Sequence, residues 1–369
     1  MIVRRGYNSA RDPPIRPPTE SLGNTTAQAF NGAVRPFLYA LGVALLFGAL
    51  SLGGGFLFDD WPLRAIVRGE VPGVHHPLDV YRFVDGPADV QEMTARGPFP
   101  WFTAPDLHLG FFRPLASALL IVDERVFGGG AVGWHAHSVL WYLALVVVAG
   151  LVLARALRGP TLALALVLFA ASDGHGAALG WISNRHSTVA VTLALLGLWS
   201  HMRARDDGWR PGRVISLALF ALALLAGETA LGVLAYLLAW ELLGRDDVPG
   251  HRARALAPTM ILIGAYLVAY KIGGYGAWHS DGYVDPIHEP LAYARVAPAR
   301  LLSLIGSFFI GPPSDVQLQT PQSLAWLWVV IGIVAVAGVT ALLRHVWPAL
   351  DDGERRGLRW LIAGALASF

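Results

Sequence analysis

Long uncharged apolar runs alternate along this chain with short basic segments. The first run, Phe37 to Phe58, holds no charged residue. As a helix at about 1.5 Å per residue it measures roughly 32 Å, enough to cross a bilayer. It delivers two adjacent carboxylates, Asp59 and Asp60, to the interface where it exits and where a long polar loop begins. Acids held there are placed to act on a substrate at the lipid surface. Further apolar runs lie at about 138–154, 161–171, 187–200, 214–227, 229–240, 256–270, 324–343 and from 357 to the end.

Arg155 and Arg158, then Arg203, Arg205, Arg210 and Arg213, then Arg245, Arg252 and Arg254, then Arg344, Arg355, Arg356 and Arg359 form four basic clusters. The positive-inside rule puts all four in the cytoplasm, so successive clusters enclose out-and-back helical hairpins. The stretch 214–240 is therefore two helices, because one helix centred on Glu228 would carry the next basic cluster outside. Residues 59–133 face out.

The hairpins are shallow. Asp173 lies 15 residues beyond Arg158, and Glu228 lies 15 beyond Arg213. That is about 22 Å of helix against a hydrocarbon core of about 30 Å. His186, 17 residues before Arg203, sits about 26 Å away. Ionisable groups at such depth survive only where they line protein or water, which predicts a cavity in the outer half of the bundle supported by Asp173, His175 and Glu228.

Two outer segments read as interfacial helices. In Pro114 to Phe127 the residues Leu115, Leu119, Val122 and Val126 share a face, with Asp123, Glu124 and Arg125 elsewhere. Pro114 suits the first helical position and leaves Arg113 beside free N–H groups, a combination that attracts phosphate; the alternative is an arginine anchored among headgroups. A similar helix is expected from Pro298 to about Ile310. Residues 1–36 are polar, Pro-rich and basic and read as a disordered cytoplasmic tail. The last run, from Gly357 to Phe369, is too short to cross, so the chain is expected to be truncated before its C-terminal helices.

Composition sets the class. Over 369 residues, 54% are hydrophobic and 15% charged, and mean hydropathy is +0.50, which describes a polytopic membrane protein. The absence of cysteine excludes disulfides, thiolate metal sites and cysteine nucleophiles. Net charge is only +2 and Lys271 is the sole lysine, so no nucleic-acid partner is expected. Lys271 is placed to snorkel to the outer interface. Trp61, Trp134, Trp181 and Trp278 fall near predicted outer ends, as an aromatic belt would have them.

Phe58-Asp59-Asp60, a long loop, Phe112-Arg113-Pro114-Leu115, then Phe169-Ala170, Trp181-Ile182-Ser183-Asn184-Arg185 and Gly227-Glu228-Thr229-Ala230 follow in that order. This order resembles the GT-C glycosyltransferases, most closely the O-mannosyltransferase-like membrane proteins that carry TPR repeats and their bacterial relatives, over residues 37 to 300. The resemblance implies an all-α, polytopic membrane protein of the GT-C type, with about nine transmembrane helices and interfacial helices in the outer loops. It implies an inverting transferase in a bacterial inner membrane, using a polyprenyl-phosphate sugar donor on the non-cytoplasmic side. By the same analogy Asp59 and Asp60 take the catalytic-acid position, Arg113 the loop arginine of the Phe-Arg-Pro-Leu pattern and Arg185 the arginine after the Trp-Ile-Ser stretch, while Glu228 takes the acid before the sixth helix. The chain departs from the pattern at Ser172, Asp173 and Ala177, where relatives carry His-Pro and an acid, and at Gly227 in place of lysine.

Such a transfer needs a base for the acceptor proton and cations for the leaving phosphate. Asp59 or Asp60 supplies the first, and mutual repulsion would raise the pKa of one of them. Arg113, Arg185 and His186 supply the second. A divalent ion on Asp59 and Asp60 is a further possibility, with His75, His76, His108, His135, His137 and His175 as outer ligand candidates, although none has a diagnostic spacing. The competing readings are structural: a salt bridge of the Asp pair with Arg64 or Arg68, and a solvated turn acid at Glu228. Asp281, Asp285 and Glu289, with Tyr283 and His288, form a later outer loop that would shape an acceptor site or simply face water. At the level of the whole chain the alternatives are a transporter or flippase of a lipid-linked substrate, or an inactive GT-C-like scaffold.

Overall fold

The computed structural model describes residues 21–71, 76–97, 99–280, 283–286, 289–311 and 320–368. Helices dominate. In chain order they are α1 (Ser21–Ser51), α2 (Asp60–Val67), α3 (Pro87–Arg96), α4 (Pro114–Phe127), α5 (Ala131–Leu153), α6 (Gly159–Ala170) and α7 (Gly176–Gly180). Then follow α8 (Arg185–Asp206), α9 (Gly212–Ala226), α10 (Ala230–Leu243), α11 (Pro249–Ile272), α12 (Pro290–Phe309), α13 (Ala325–Val346) and α14 (Asp352–Ser368). Residues 1–20 of the expected disordered tail lie outside the described residues. The remainder differs from expectation, because α1 begins at Ser21 and runs through Pro36 into the first apolar run.

The protein is a membrane protein. Among the described residues, Val34–Ser51, Ala131–Leu153, Pro249–Ile272 and Ala325–Ala349 are long and apolar enough to cross a bilayer, and the bent pair of α6 with Asp173–Gly180 would make a fifth. The helices α9 and α10 are apolar but shorter, at 15 and 14 residues. Large apolar side chains such as Leu46, Leu50, Ile261, Val268, Ile333 and Val334 point outward. A water-soluble surface would not expose so continuous an apolar face, whereas lipid solvates it.

One apolar core joins α8, α9 and α10 through Val189, Ala194, Leu198, Phe220, Leu224 and Leu237. A second joins α1, α5 and α6 through Ala40, Ala44, Tyr142, Val146 and Leu166. At the edge, α12 crosses α13 at a backbone-to-backbone contact: a Cβ on Gly332 would collide with the Leu302 carbonyl, and one on Gly306 would meet the Gly332 nitrogen at 2.8 Å. Small residues permit that approach where lipid offers no hydrophobic drive between helices.

The helix α8 runs from one end of the molecule to the other. α8 starts at Arg185 and ends among Arg203, Arg205 and Asp206, about 33 Å away. At the latter end the basic clusters meet. Arg155 bonds Asp207 at 2.7 Å, Arg245 pairs with Asp206, and Arg356 reaches Asp246 at 2.7 Å. The segment between α2 and α4, the break between α9 and α10 and the segment after α11 gather at the opposite end.

That opposite end contains a feature absent from the all-α expectation. Strands β1 (Arg82–Asp85), β2 (His108–Gly110) and β3 (Gly276–Trp278) form a small antiparallel sheet in the order β1-β2-β3. It ties the first outer loop to the segment after α11. The helix expected from Pro298 to Ile310 begins earlier, at Pro290, and contains Pro298 in its interior. The helix Pro114–Phe127 has the expected bounds but packs a different face: Ala116, Ser117, Leu120 and Asp123 are buried, while Val122 and Val126 are exposed. The reason is the partner found by Asp123.

Candidate functional site

The turn that carries the acid pair is strained. Phe58 has φ of +38°, a left-handed conformation that costs a bulky residue of order 1–3 kcal/mol. It sends the two neighbours in different directions. Asp60 is buried, with Oδ2 accepting from the Leu57 N–H at 2.9 Å and Oδ1 from the Ser183 N–H at 2.7 Å. Its carboxylate therefore locks α2 onto the turn at Ile182–Asn184. Asp59 is exposed and borders an apolar cavity of about 390 Å³ that also touches Pro62, Ile66, Phe83, Glu92 and Leu109. Its carboxyl is pushed above the usual carboxylate range, first by thinned hydration and second by the charge of Asp60.

The competing structural reading, a salt bridge of this pair with Arg64 or Arg68, does not form among the described residues. Both arginines bind Glu124, at 3.0 and 2.7 Å. Arg64 also lies 3.8 Å over the Phe56 ring.

Beyond Asp60, the Ser183 turn leads to Tyr81. Its buried hydroxyl donates to the Ser183 carbonyl at 3.0 Å, and its ring stacks on His186 with 5.6 Å between centroids. Burial raises the Tyr81 phenol well above its ordinary value, with Arg113 and Arg185 pulling the other way, so it stays a neutral donor. The Arg113 guanidinium sits 4.3 Å from the Phe111 ring and 5.1 Å from that of Tyr81. Its Nε donates to Glu228 Oε2 at 2.9 Å. Thus the arginine before α4 and the acid in the break between α9 and α10 meet across two distant segments. Tyr270 turns its hydroxyl toward Glu228 Oε1 at 3.5 Å, and the buried hydroxyl of Tyr266 beside it has no hydrogen-bond partner among the described residues. Arg113, Glu228, His186 and three tyrosines therefore share one polar cluster under the outer loops.

Arg185 is placed elsewhere. It is 2% exposed, bonded to Asp123 Oδ2 and donating Nη1 to the Trp134 carbonyl at 3.2 Å. Asp123 Oδ1 meets His137 Nδ1 at 2.6 Å, and Trp141 Nε1 donates to His137 Nε2 at 3.0 Å. Since Nε2 accepts, the imidazole carries its proton on Nδ1 and donates it to Asp123. This buried chain anchors α4 to α5 and α8. Asp123, Tyr81, Tyr266 and Tyr270 are site or anchor residues that the sequence reading missed. The one available signal was helical spacing, since Asp123 follows Ala116 by seven positions on the same face.

Asp173 and His175 stay outside the cluster. Asp173 is exposed, and His175 contacts the Phe169 carbonyl at 2.9 Å beside Tyr142. The other outer histidines have structural partners: His135 lies against the Leu179 and Gly55 carbonyls, and His76 accepts from the Leu78 N–H. His108 stacks on Trp278 at 3.7 Å. His75, Asp281 and His288 lie outside the described residues.

Both Asp60 oxygens are taken by N–H donors, leaving Asp59 alone. Among the described residues no three His, Asp or Glu side chains converge as ligands. Comparison of the chain with protein-family models, with curated proteins and with solved structures finds no match.

Proposed function

We propose that the chain is a membrane glycosyltransferase of the GT-C type, moving a sugar from a polyprenyl-phosphate donor to a hydroxyl acceptor. The observation that carries this reading is Asp59: a carboxylate with an elevated pKa and no side-chain partner among the described residues, lining an apolar cavity, on the turn whose next residue leads through Ser183 and Tyr81 to Arg113. In the reaction, Asp59 takes the acceptor proton as the acceptor oxygen bonds to the sugar carbon. The bond from that carbon to phosphate breaks, and the phosphate leaves with the electron pair. Arg113 neutralises that developing charge, supported by the Tyr266 hydroxyl. Glu228 orients Arg113, and His186 buttresses Tyr81. In this account Asp60 and Arg185 hold the architecture rather than touch substrate.

The same reading assigns the Arg-rich end to the cytoplasm of a bacterial inner membrane and the Asp59 end to the exterior. It takes α6, α9 and α10 as short crossings within a total of about nine. The test uses proteoliposomes with labelled polyprenyl-phosphate sugar in the outer leaflet only. Formation of a glycosylated hydroxyl product without donor reaching the inner leaflet supports the proposal. Donor appearing in the inner leaflet without product would make the chain a transporter, and binding alone a scaffold.

A further inference from the structure

At the end remote from Asp59, a cavity of about 380 Å³ opens between α8, α9 and α11. That volume falls within the roughly 300–1,000 Å³ of small-molecule sites. Its walls include His201, Arg205, Arg213, Ser216, His251 and Arg254. Three of these already face carboxylates. His201 Nε2 meets Glu241 Oε1 at 2.7 Å, while Arg205 binds Glu241 at 2.8 Å and Asp247 at 2.6 Å. His251 Nδ1 lies 3.2 Å from Asp247.

Arg213 and Arg254 are different. Both are exposed, and among the described residues neither has a carboxylate within ion-pair distance. They sit in the first turn of α9 and the second turn of α11, and border the same space. Ser216 adds a second kind of observation. It is 2% exposed, lines the cavity, and its hydroxyl has no hydrogen-bond partner among the described residues. A buried hydroxyl without a partner is uncommon enough to need an explanation. Here it stands beside two uncompensated guanidinium groups and near the N-terminus of α9, whose dipole also favours an anion.

We propose that this cavity binds a phosphate group, presented either by an anionic lipid headgroup or by a free phosphate. Two planar guanidinium forks suit tetrahedral phosphate oxygens, and the serine hydroxyl serves a further oxygen. The paired Arg205, Glu241 and Asp247 form a fixed wall behind them. A cation is repelled by Arg213 and Arg254. The site is independent of the transfer chemistry proposed above, since no residue is shared with the Asp59 end.

The purified full chain in detergent is titrated with inorganic phosphate, with phosphatidic acid and with diacylglycerol, which has the same tails and no phosphate. Binding and the rise in melting temperature are both read. The proposal expects at least one phosphate probe to bind and stabilise while diacylglycerol does not. Response to phosphatidic acid alone assigns a headgroup site, and response to inorganic phosphate a soluble ligand. The double variant R213Q/R254Q, changed only at exposed positions, should melt like the parent without ligand and bind the probe at least about tenfold more weakly. R213K/R254K should bind at an intermediate level, because charge survives without the bidentate fork. Ser216→Ala should weaken binding a few-fold. Absence of binding by both phosphate probes overturns the proposal, as does equal response to diacylglycerol or parental affinity in R213Q/R254Q.

Discussion

Arg113 Nε donates to Glu228 Oε2 at 2.9 Å, joining residues 115 positions apart in the chain. The side chains are 15% and 26% exposed, so the pair is only partly screened by solvent. Arg113 precedes the first turn of α4, while Glu228 stands where Gly227 interrupts the helical path between α9 and α10. One ion pair thus fixes the start of α4 over the break between α9 and α10.

If this pair presents Arg113 to a donor phosphate, Arg113→Ala should reduce donor affinity strongly and lower stability by about 1–3 kcal/mol, because Glu228 loses its partner. Arg113→Lys should recover part of the affinity, and Glu228→Gln should weaken binding less than Arg113→Ala does. Donor titrations on the three variants, with denaturant melts alongside, check both effects. Parental donor affinity in Arg113→Ala would move the phosphate site elsewhere.

The Arg185–Asp123 pair predicts a different pattern. Both groups are fully buried, so breaking the pair by Arg185→Ala or Asp123→Ala should destabilise the protein by about 3–5 kcal/mol. The double replacement Arg185→Met with Asp123→Leu should recover much of that loss, since no unpaired charge remains. Thermal denaturation reads the outcome. A variant Arg185→Ala that folds normally but loses donor binding would restore Arg185 to the substrate site.

At the edge of the bundle, Gly332→Leu should separate α12 from α13, because any Cβ there meets the Leu302 carbonyl. A replacement on the same helix at Val334, which is 56% exposed, should be tolerated. Paired cysteines introduced into this cysteine-free chain at the crossing, one on each helix, should cross-link in the parent and fail to do so in Gly332→Leu.

Part of this architecture could be read from sequence because it depends on local signals. Pro114 at the first helical position and Gly128 after the last fix α4 to the residue. Basic clusters around a central acid placed the break between α9 and α10. The Asp pair at a helix exit was visible for the same reason. Tertiary choices were not legible. Strands of three or four residues show no alternation, and β2 finds β3 only after the chain has crossed the bundle. Arg185 looked free because its partner Asp123 lies 62 positions away. Asp59 and Asp60 are chemically alike in sequence, and only the fold, which brings the Ser183 N–H to Asp60, buries one and leaves the other facing out.

That division between two neighbouring carboxylates is the centre of the account, and comparing Asp59→Asn with Asp60→Asn tests it most directly. Initial rates of sugar transfer in proteoliposomes are measured from acid to neutral pH, with a melting curve for each variant. Asp59 works deprotonated, so the parental rate should fall as pH drops through a midpoint above the ordinary 3.8 of an aspartate. Asp59→Asn should fold like the parent, bind donor, lose about 10²- to 10⁴-fold in rate and lose that acid limb. Asp60→Asn should instead melt at lower temperature, since an amide cannot accept both the Leu57 and Ser183 N–H groups with equal geometry. Parental transfer rates in Asp59→Asn with the acid limb intact would contradict the account.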